Sequence, residues 1–352
     1  MLPRVVISLR ENPSALRRVV VLTLAVLVGL AISVFVLIAA GVPGENLADE
    51  FITNTLSDPD SVRAILVQAA PLMLVGAGAA LAFRVNYWNL GLEGQMIFGG
   101  IASTWIVLHN AAPAGATLFI MAVAACVGGL AWGVLPAILK LRLGVNEIIS
   151  TLLLNYVAQN FLLHLVYGAW LDPKDNFPHS PEFPPTARLP DFDVGISIST
   201  ALPIAVIVAL AGWWLVTGTR LGLYMRFAQA NPRMSTALGV PLNATILASV
   251  LLSAAASGLA GFLISAGEEG RLTQSFYTGY GFSGILIAFL ARNNPLAAIP
   301  VSLAIAWLFV TGQSLQVFYQ IPFAMVQLIQ AIIVVAVAAS EFSIRHRVKL
   351  VR

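Results

Sequence analysis

The stretch from Gly94 to Leu139, GQMIFGGIASTWIVLHNAAPAGATLFIMAVAACVGGLAWGVLPAIL, contains no Asp, Glu, Lys or Arg. One membrane crossing takes about 20 apolar residues, so this run is long enough for two, and His109 to Pro113 supplies a hinge between them. Working outward, further charge-free runs extend from Ile148 to Leu171, Val194 to Thr219, Pro241 to Gly267, Leu272 to Ala291 and Asn293 to Ser340. The last of these again holds two spans, hinged at Gly312 to Pro322. Of 352 residues, 59% are hydrophobic and 10% charged, with a mean hydropathy of +0.87, whereas soluble domains carry about 25% charged residues. The composition predicts an all-α integral membrane protein. Strict polar/apolar alternation is absent, which argues against a β-barrel.

Towards the N-terminus, Arg4, Arg10, Arg17 and Arg18 precede an apolar run over 19–41. That run is too long for a signal-peptide core and reads as a retained first span. With 62–83, 95–112, 115–138, 148–170, 200–217, 243–266, 278–291, 296–312 and 322–340 it makes about ten transmembrane helices in one domain, 1–352. Charge tests the count. With the N-terminus inside, fifteen of the nineteen basic residues fall on the cytoplasmic side, and only Arg63, Lys174, Arg188 and Arg271 fall outside. The connection 171–199 is then external, 220–241 is a cytoplasmic segment, and 341–352 is a basic cytoplasmic tail. The eighth span, with an apolar core only from Phe282 to Ala291, is short enough to be re-entrant; Arg292 and the tail favour a full crossing.

Several function classes are excluded. The net charge of +3 arises from the inside bias and gives no support to a nucleic-acid partner. Cys126 is alone, so neither a disulfide nor a thiolate metal site is expected. His109, His164, His179 and His346 show no H-x-x-x-H spacing, and no metal is expected. There is no G-x-x-x-x-G-K-[ST], and none of the three lysines, Lys140, Lys174 and Lys349, lies in a glycine-rich loop, so the chain is not expected to bind ATP itself. Glu93 is the acidic residue nearest the apolar interior, so there is no ladder of carboxylates for ion coupling.

Two glycine-broken interruptions carry the polar residues. The first is FRVNYWNLGLEGQ, Phe83 to Gln95, with Asn86, Asn89, Glu93 and Gln95; the second is SFYTGYGFSG, Ser275 to Gly284, with Tyr280. They occupy comparable places in spans 2–5 and 7–10, which run in opposite orientation, the pattern of an inverted repeat with a pathway at the repeat interface. Glu93 either lines that pathway or ends a helix at the cytoplasmic boundary beside Arg84. On the fifth span Asn155 and Gln159 stand at i and i+4, as do Tyr156 and Asn160. They either line a path for a neutral polar solute or serve as hydrogen-bonding glue between helices.

Within 220–241, Asn231 can cap a short helix, Pro232 suits its first position, and Gly239 with Pro241 stops it. Met234, Ala237 and Leu238 then form one small apolar face, for docking a partner or for lying on the membrane domain itself. Outside, 171–199 is either a disordered linker or an ordered lid that meets a soluble partner.

The runs NLGLEGQ (89–95), VNEIISTLLLNYVA (145–158) and GYGFSGILIAFLARNNPLA (279–297) resemble the permease subunit of nucleoside-type ABC importers, within the sugar and branched-chain amino-acid permease superfamily. The resemblance covers essentially the whole chain. It implies that the segment from Gly222 to Val240 is the coupling loop that fits a cytoplasmic ABC ATPase. Gly222, Asn231, Pro232, Met234, Ala237, Leu238 and Gly239 are then the coupling residues. It also implies a second permease subunit, usually a different co-encoded chain, and an external solute-binding lipoprotein or periplasmic protein. ATP is then bound by the partner, and this subunit needs no cofactor of its own. Nucleosides are the expected solute. A simple sugar such as ribose is the alternative, and an ion-coupled secondary transporter the alternative from another class.

Overall fold

The computed structural model describes residues 4–9, 14–45, 53, 55–113, 115–193, 197–277 and 279–351. Helices α1 (Ala15–Ala39), α2 (Pro59–Phe83), α3 (Leu92–Leu108), α4 (Thr117–Leu143) and α5 (Glu147–Val166) come first. The strands β2 (Asp191–Asp193) and β3 (Ser197–Ser199) form a small hairpin, after which α6 (Ala201–Gly218), α7 (Arg220–Ala230), α8 (Pro232–Ala237) and α9 (Leu242–Leu263) follow. A π-helical turn, Ile264–Glu268, prolongs α9, and α10 (Tyr280–Leu290), α11 (Pro295–Tyr319) and α12 (Phe323–Arg345) complete the helices. Strands β1 (Arg4–Leu9) and β4 (His346–Val351) pair antiparallel, from Arg4 opposite Val351 to Leu9 opposite His346.

Among the described residues eight helices are long and apolar enough to cross a membrane, and α3 and α10 are shorter apolar helices. Together they occupy the ten predicted segments, and the protein is an all-α multi-pass membrane protein. With eleven residues, α10 is about 16 Å long, roughly half the apolar core of a bilayer. The predicted ninth span, 296–312, continues as helix to Tyr319. Gly312 does not end it, because a glycine inside a helix costs only about 1 kcal/mol and this one lies against Val326. The predicted basic tail 341–352 is likewise structured, since α12 runs on to Arg345 and β4 follows.

Two compact units divide the chain: Met1–Val62 with Trp307–Arg352, and Arg63–Ala306. In the first, α1 packs on α12 at Gly29, where an added Cβ would stand 3.0 Å from the Cα of Ile333. In the second, α3, α4 and α9 pack backbone against backbone. A Cβ on Gly258 would collide with the carbonyl of Ala125, one on Gly129 with that of Ala254, one on Gly261 with that of Met96, and one on Gly99 with Gly258 itself. Lipid tails are as apolar as leucine, so helices in a membrane associate through close van der Waals packing, which small residues permit. The hydroxyls along α9 return their hydrogen bonds to their own helix, Ser249 to the Thr245 carbonyl at 2.6 Å and Ser257 to that of Ser253 at 3.1 Å. At the far end of the same seam the hydroxyls of Ser103 and Ser265 lie 3.3 Å apart.

This packing gives a stability test. Gly258→Val is expected to lower the melting temperature in detergent by roughly 5 to 10 °C, the effect of overpacking by a few kcal/mol. Gly212→Ala, whose Cβ would meet Pro295 at an ordinary 3.4 Å, should leave it unchanged. Equal melting temperatures for both variants would refute the seam.

Candidate functional site

The two interruptions face each other. After α2 the chain reverses at Asn86, with φ 55°, and stays non-helical until α3 begins at Leu92. After the π-helical turn it is again non-helical until Gly279, with φ 84°, opens α10. The two helix beginnings meet at Glu93, which is 5% exposed. Its carboxylate faces the backbone N–H groups of Gly279, Gly281 and Phe282. A helix starting at membrane depth presents orphan N–H groups with no water to satisfy them, and an anion there also complements the helix dipole. Gly281 must lack a side chain, since a Cβ would overlap Glu93. Arg84 is not its partner: its Nε donates to the carbonyl of Asn293 at 2.6 Å.

Asn89 and Gln95 are buried and bond to each other in both directions, at 3.0 and 3.1 Å, while Asn89 also reaches Ser253 at 3.2 Å. Asn155, 3% exposed, accepts the N–H of Gly94 at 2.9 Å and donates to the carbonyl of Leu90 at 2.8 Å. Thr151, which the sequence reading passed over, accepts the N–H of Leu90 at 3.2 Å. These amides and this hydroxyl satisfy the irregular backbone of the first break, as buried polar backbone requires.

The opposite face of α5 is different. Tyr156 is 57% and Tyr167 60% exposed, and Asn160 and His164 lie between them, also exposed, at helical spacing; Gln159 is half-buried beside them. The Asn160 amide donates only to the carbonyl one turn back, and the Tyr167 hydroxyl donates to Gln274 at 3.0 Å.

Tyr280 is buried at the start of α10 and donates to a carboxylate oxygen of Glu268 at 3.4 Å. Glu268 was missed in the sequence, where the span was closed at Ala266 and Glu93 stood as the one acidic residue near the interior; the π-helical turn carries the helix two residues further. Glu147, buried at the start of α5, pairs with Lys140.

The 220–241 segment is two helices rather than one. In α7 the buried Gly222, Met225 and Ala228 recur at three-residue intervals, and a Cβ on Gly222 would collide with the carbonyl of Val216. In α8 the Asn231 side chain accepts the N–H of Met234 at 3.1 Å, Pro232 is the first residue, and Gly239 follows with φ 80°. Met234 is 57% and Leu238 60% exposed, with Ala237 exposed between them, so this apolar face does not lie on the described chain. Asn86 joins the first break to α7 by donating to the carbonyl of Gln229 at 3.3 Å.

The connection 171–199 is an ordered lid over its described residues, strapped by its backbone to 266–273. Ser180 donates to Leu272 at 2.9 Å, Phe183 to Gly270 at 2.8 Å and Leu189 to Ala266 at 2.8 Å. Arg188 pairs with Glu182 and holds its carboxyl below the usual range. Asp172, Asp175 and His179 bring ligand atoms within 4.8 Å of one another, a cluster that no pairwise histidine spacing reveals. Arg271 lies 3.1 Å from the same His179 nitrogen that faces Asp175, so the group has its own cation and acts as a latch between lid and strap.

The chain belongs to the family of the branched-chain amino acid transport system permease component, whose profile matches residues 61–338. It is 34% identical to the glucose ABC transporter permease protein TsgB13 of Haloferax volcanii, over 92% of this chain and 88% of that protein. To the guanosine ABC transporter permease protein NupP of Bacillus subtilis it is 28% identical, over 90% and 92%. To the nucleoside ABC transporter permease protein NupB of Lactococcus lactis it is 26% identical, over 80% of each. The protein is therefore a transport subunit of the kind that works with an ATPase and a solute-binding protein.

Glu93→Ala removes the carboxylate that faces the N–H groups at the start of α10 and is expected to destabilise the chain by about 1 to 3 kcal/mol, the cost of leaving a buried donor unsatisfied. Glu93→Gln keeps an acceptor and should recover more than half of the loss. Thermal unfolding in detergent decides it; equal stability of Glu93→Ala and wild type would remove the cap.

Proposed function

We propose that the chain is one of two permease subunits of an ABC importer that carries nucleosides through the cytoplasmic (inner) membrane, with both termini on the cytoplasmic side. The observation that carries this reading is the exposed polar face of α5. Tyr156, Asn160 and His164 lie on an apolar helix at membrane depth, where polar groups are tolerated only against protein or a water-filled path. A second permease subunit, most simply a different co-encoded chain, covers that face and leaves the solute path between the two. Neutral hydroxyl, amide and imidazole groups suit a neutral polar solute.

The guanosine and nucleoside permeases among the relatives support nucleosides. The glucose permease relative, at the higher identity of 34%, favours a simple sugar as the second reading. ATP is bound and hydrolysed by the partner, and this subunit performs no covalent chemistry and holds no cofactor. Force enters through α8, whose exposed Met234, Ala237 and Leu238 fit an apolar groove on the ATPase. From there Gly222 and the Asn86–Gln229 bond connect it to the first break, where Asn89, Glu93 and Gln95 hold the backbone. The lid meets the external solute-binding lipoprotein or periplasmic protein, and lipid covers the remaining apolar faces.

Leu238→Asp is expected to weaken ATPase association at least about tenfold, since it removes a burial worth roughly 1.5 to 3 kcal/mol and adds a carboxylate to desolvate. Co-purification at matched expression measures it; unchanged association and unchanged coupling of hydrolysis to uptake would end the coupling assignment.

Orientation is read separately. A cysteine at the exposed Phe177 should react with an impermeant thiol reagent in intact cells, and one at the exposed Thr236 only after permeabilisation. The reverse labelling would invert the topology.

A further inference from the structure

Three side chains from three elements of the Arg63–Ala306 unit converge beside the beginning of α10. Tyr280 donates its hydroxyl proton to one carboxylate oxygen of Glu268 at 3.4 Å, and the Gln68 side chain from α2 lies against the same hydroxyl. Because that proton is committed to Glu268, the hydroxyl can face Gln68 only through its amide N–H, and the amide oxygen is left over. That oxygen is buried without a partner, on a side chain only 8% exposed. Glu268 itself is exposed, forms no ion pair among the described residues, and takes no other hydrogen bond there than the one from Tyr280. It stands at the end of the π-helical turn, an element that recurs at functional sites.

Two acceptors, the amide oxygen of Gln68 and the second carboxylate oxygen of Glu268, thus flank one hydroxyl. An orphaned acceptor at this depth is costly, and what relieves it is a donor. Two neighbouring donors on a neutral molecule are most simply the adjacent hydroxyls of a sugar ring. We propose that Gln68, Tyr280 and Glu268 form a subsite that recognises vicinal hydroxyls of the transported solute. This rests on the reading of the chain as a solute permease, and it fits the ribose of a nucleoside and a free sugar equally.

The test uses the complete importer in vesicles, with the solute-binding protein saturated by each solute in turn, so that discrimination in the maximal rate belongs to the membrane subunits. Guanosine should be carried at least about tenfold faster than 2′,3′-dideoxyguanosine, because a site built to bond hydroxyls rejects the analogue lacking them. Glu268→Gln and Gln68→Leu should compress that ratio to about twofold while ATPase association stays unchanged. If Glu268→Gln fails to assemble, Tyr280→Phe, which keeps the ring and removes the shared hydroxyl, should compress it as well. A variant that assembles and keeps the wild-type ratio overturns the subsite and leaves the permease reading intact. Wild-type vesicles that import glucose but no nucleoside overturn the nucleoside reading instead, and the ratio of glucose to 2-deoxyglucose then tests the subsite in the same way.

Discussion

The second half of the membrane unit depends on one carboxylate. A helix that begins inside the bilayer has donors that neither water nor a preceding turn can satisfy, and the Glu93 carboxylate faces three of them. Because Glu93 stands at the beginning of α3, this contact ties one short helix to the other, and the two breaks become a single structure. The glycine at position 281 and the left-handed turn at Gly279 follow from that contact, the first from lack of room and the second from the direction the chain must take.

Around this joint the polar residues divide by what they satisfy. Asn89, Gln95, Asn155 and Thr151 are spent on irregular backbone and on one another, so they fix the shape of the break. Tyr156, Asn160 and His164 on the other face of α5 are turned away from the described chain. The distinction separates groups that build the protein from groups available to something else. The same logic applies to α8, whose cap and stop are complete within the chain while its apolar face is left open.

The seam of α3, α4 and α9 explains how so polar an interior is held. Backbones brought together at Gly99, Gly129 and Gly258 leave no room for lipid or rearranged side chains, and close packing replaces the hydrophobic drive that a bilayer does not provide between helices. The serines of α9 bond along their own helix and so add no unsatisfied groups to that seam.

Length and apolar content alone determined the membrane class and where the apolar segments lie, eight of them, among the described residues, long enough for the one thickness that a bilayer imposes on a crossing. Local chemistry likewise made α8 legible: a side-chain cap, a proline and a glycine act over four residues and need no distant partner. Tertiary structure decided the rest. The partner of Glu93 is nearly two hundred positions away, so nothing in its neighbourhood distinguishes a cap on α10 from a pair with Arg84. Glu268 looked like loop because a π-helical turn leaves no periodic mark in so short a stretch. Which face of α5 serves the break and which stays open was hidden as well, since both carry an asparagine, and only the position of Leu90 and Gly94 against Asn155 tells them apart.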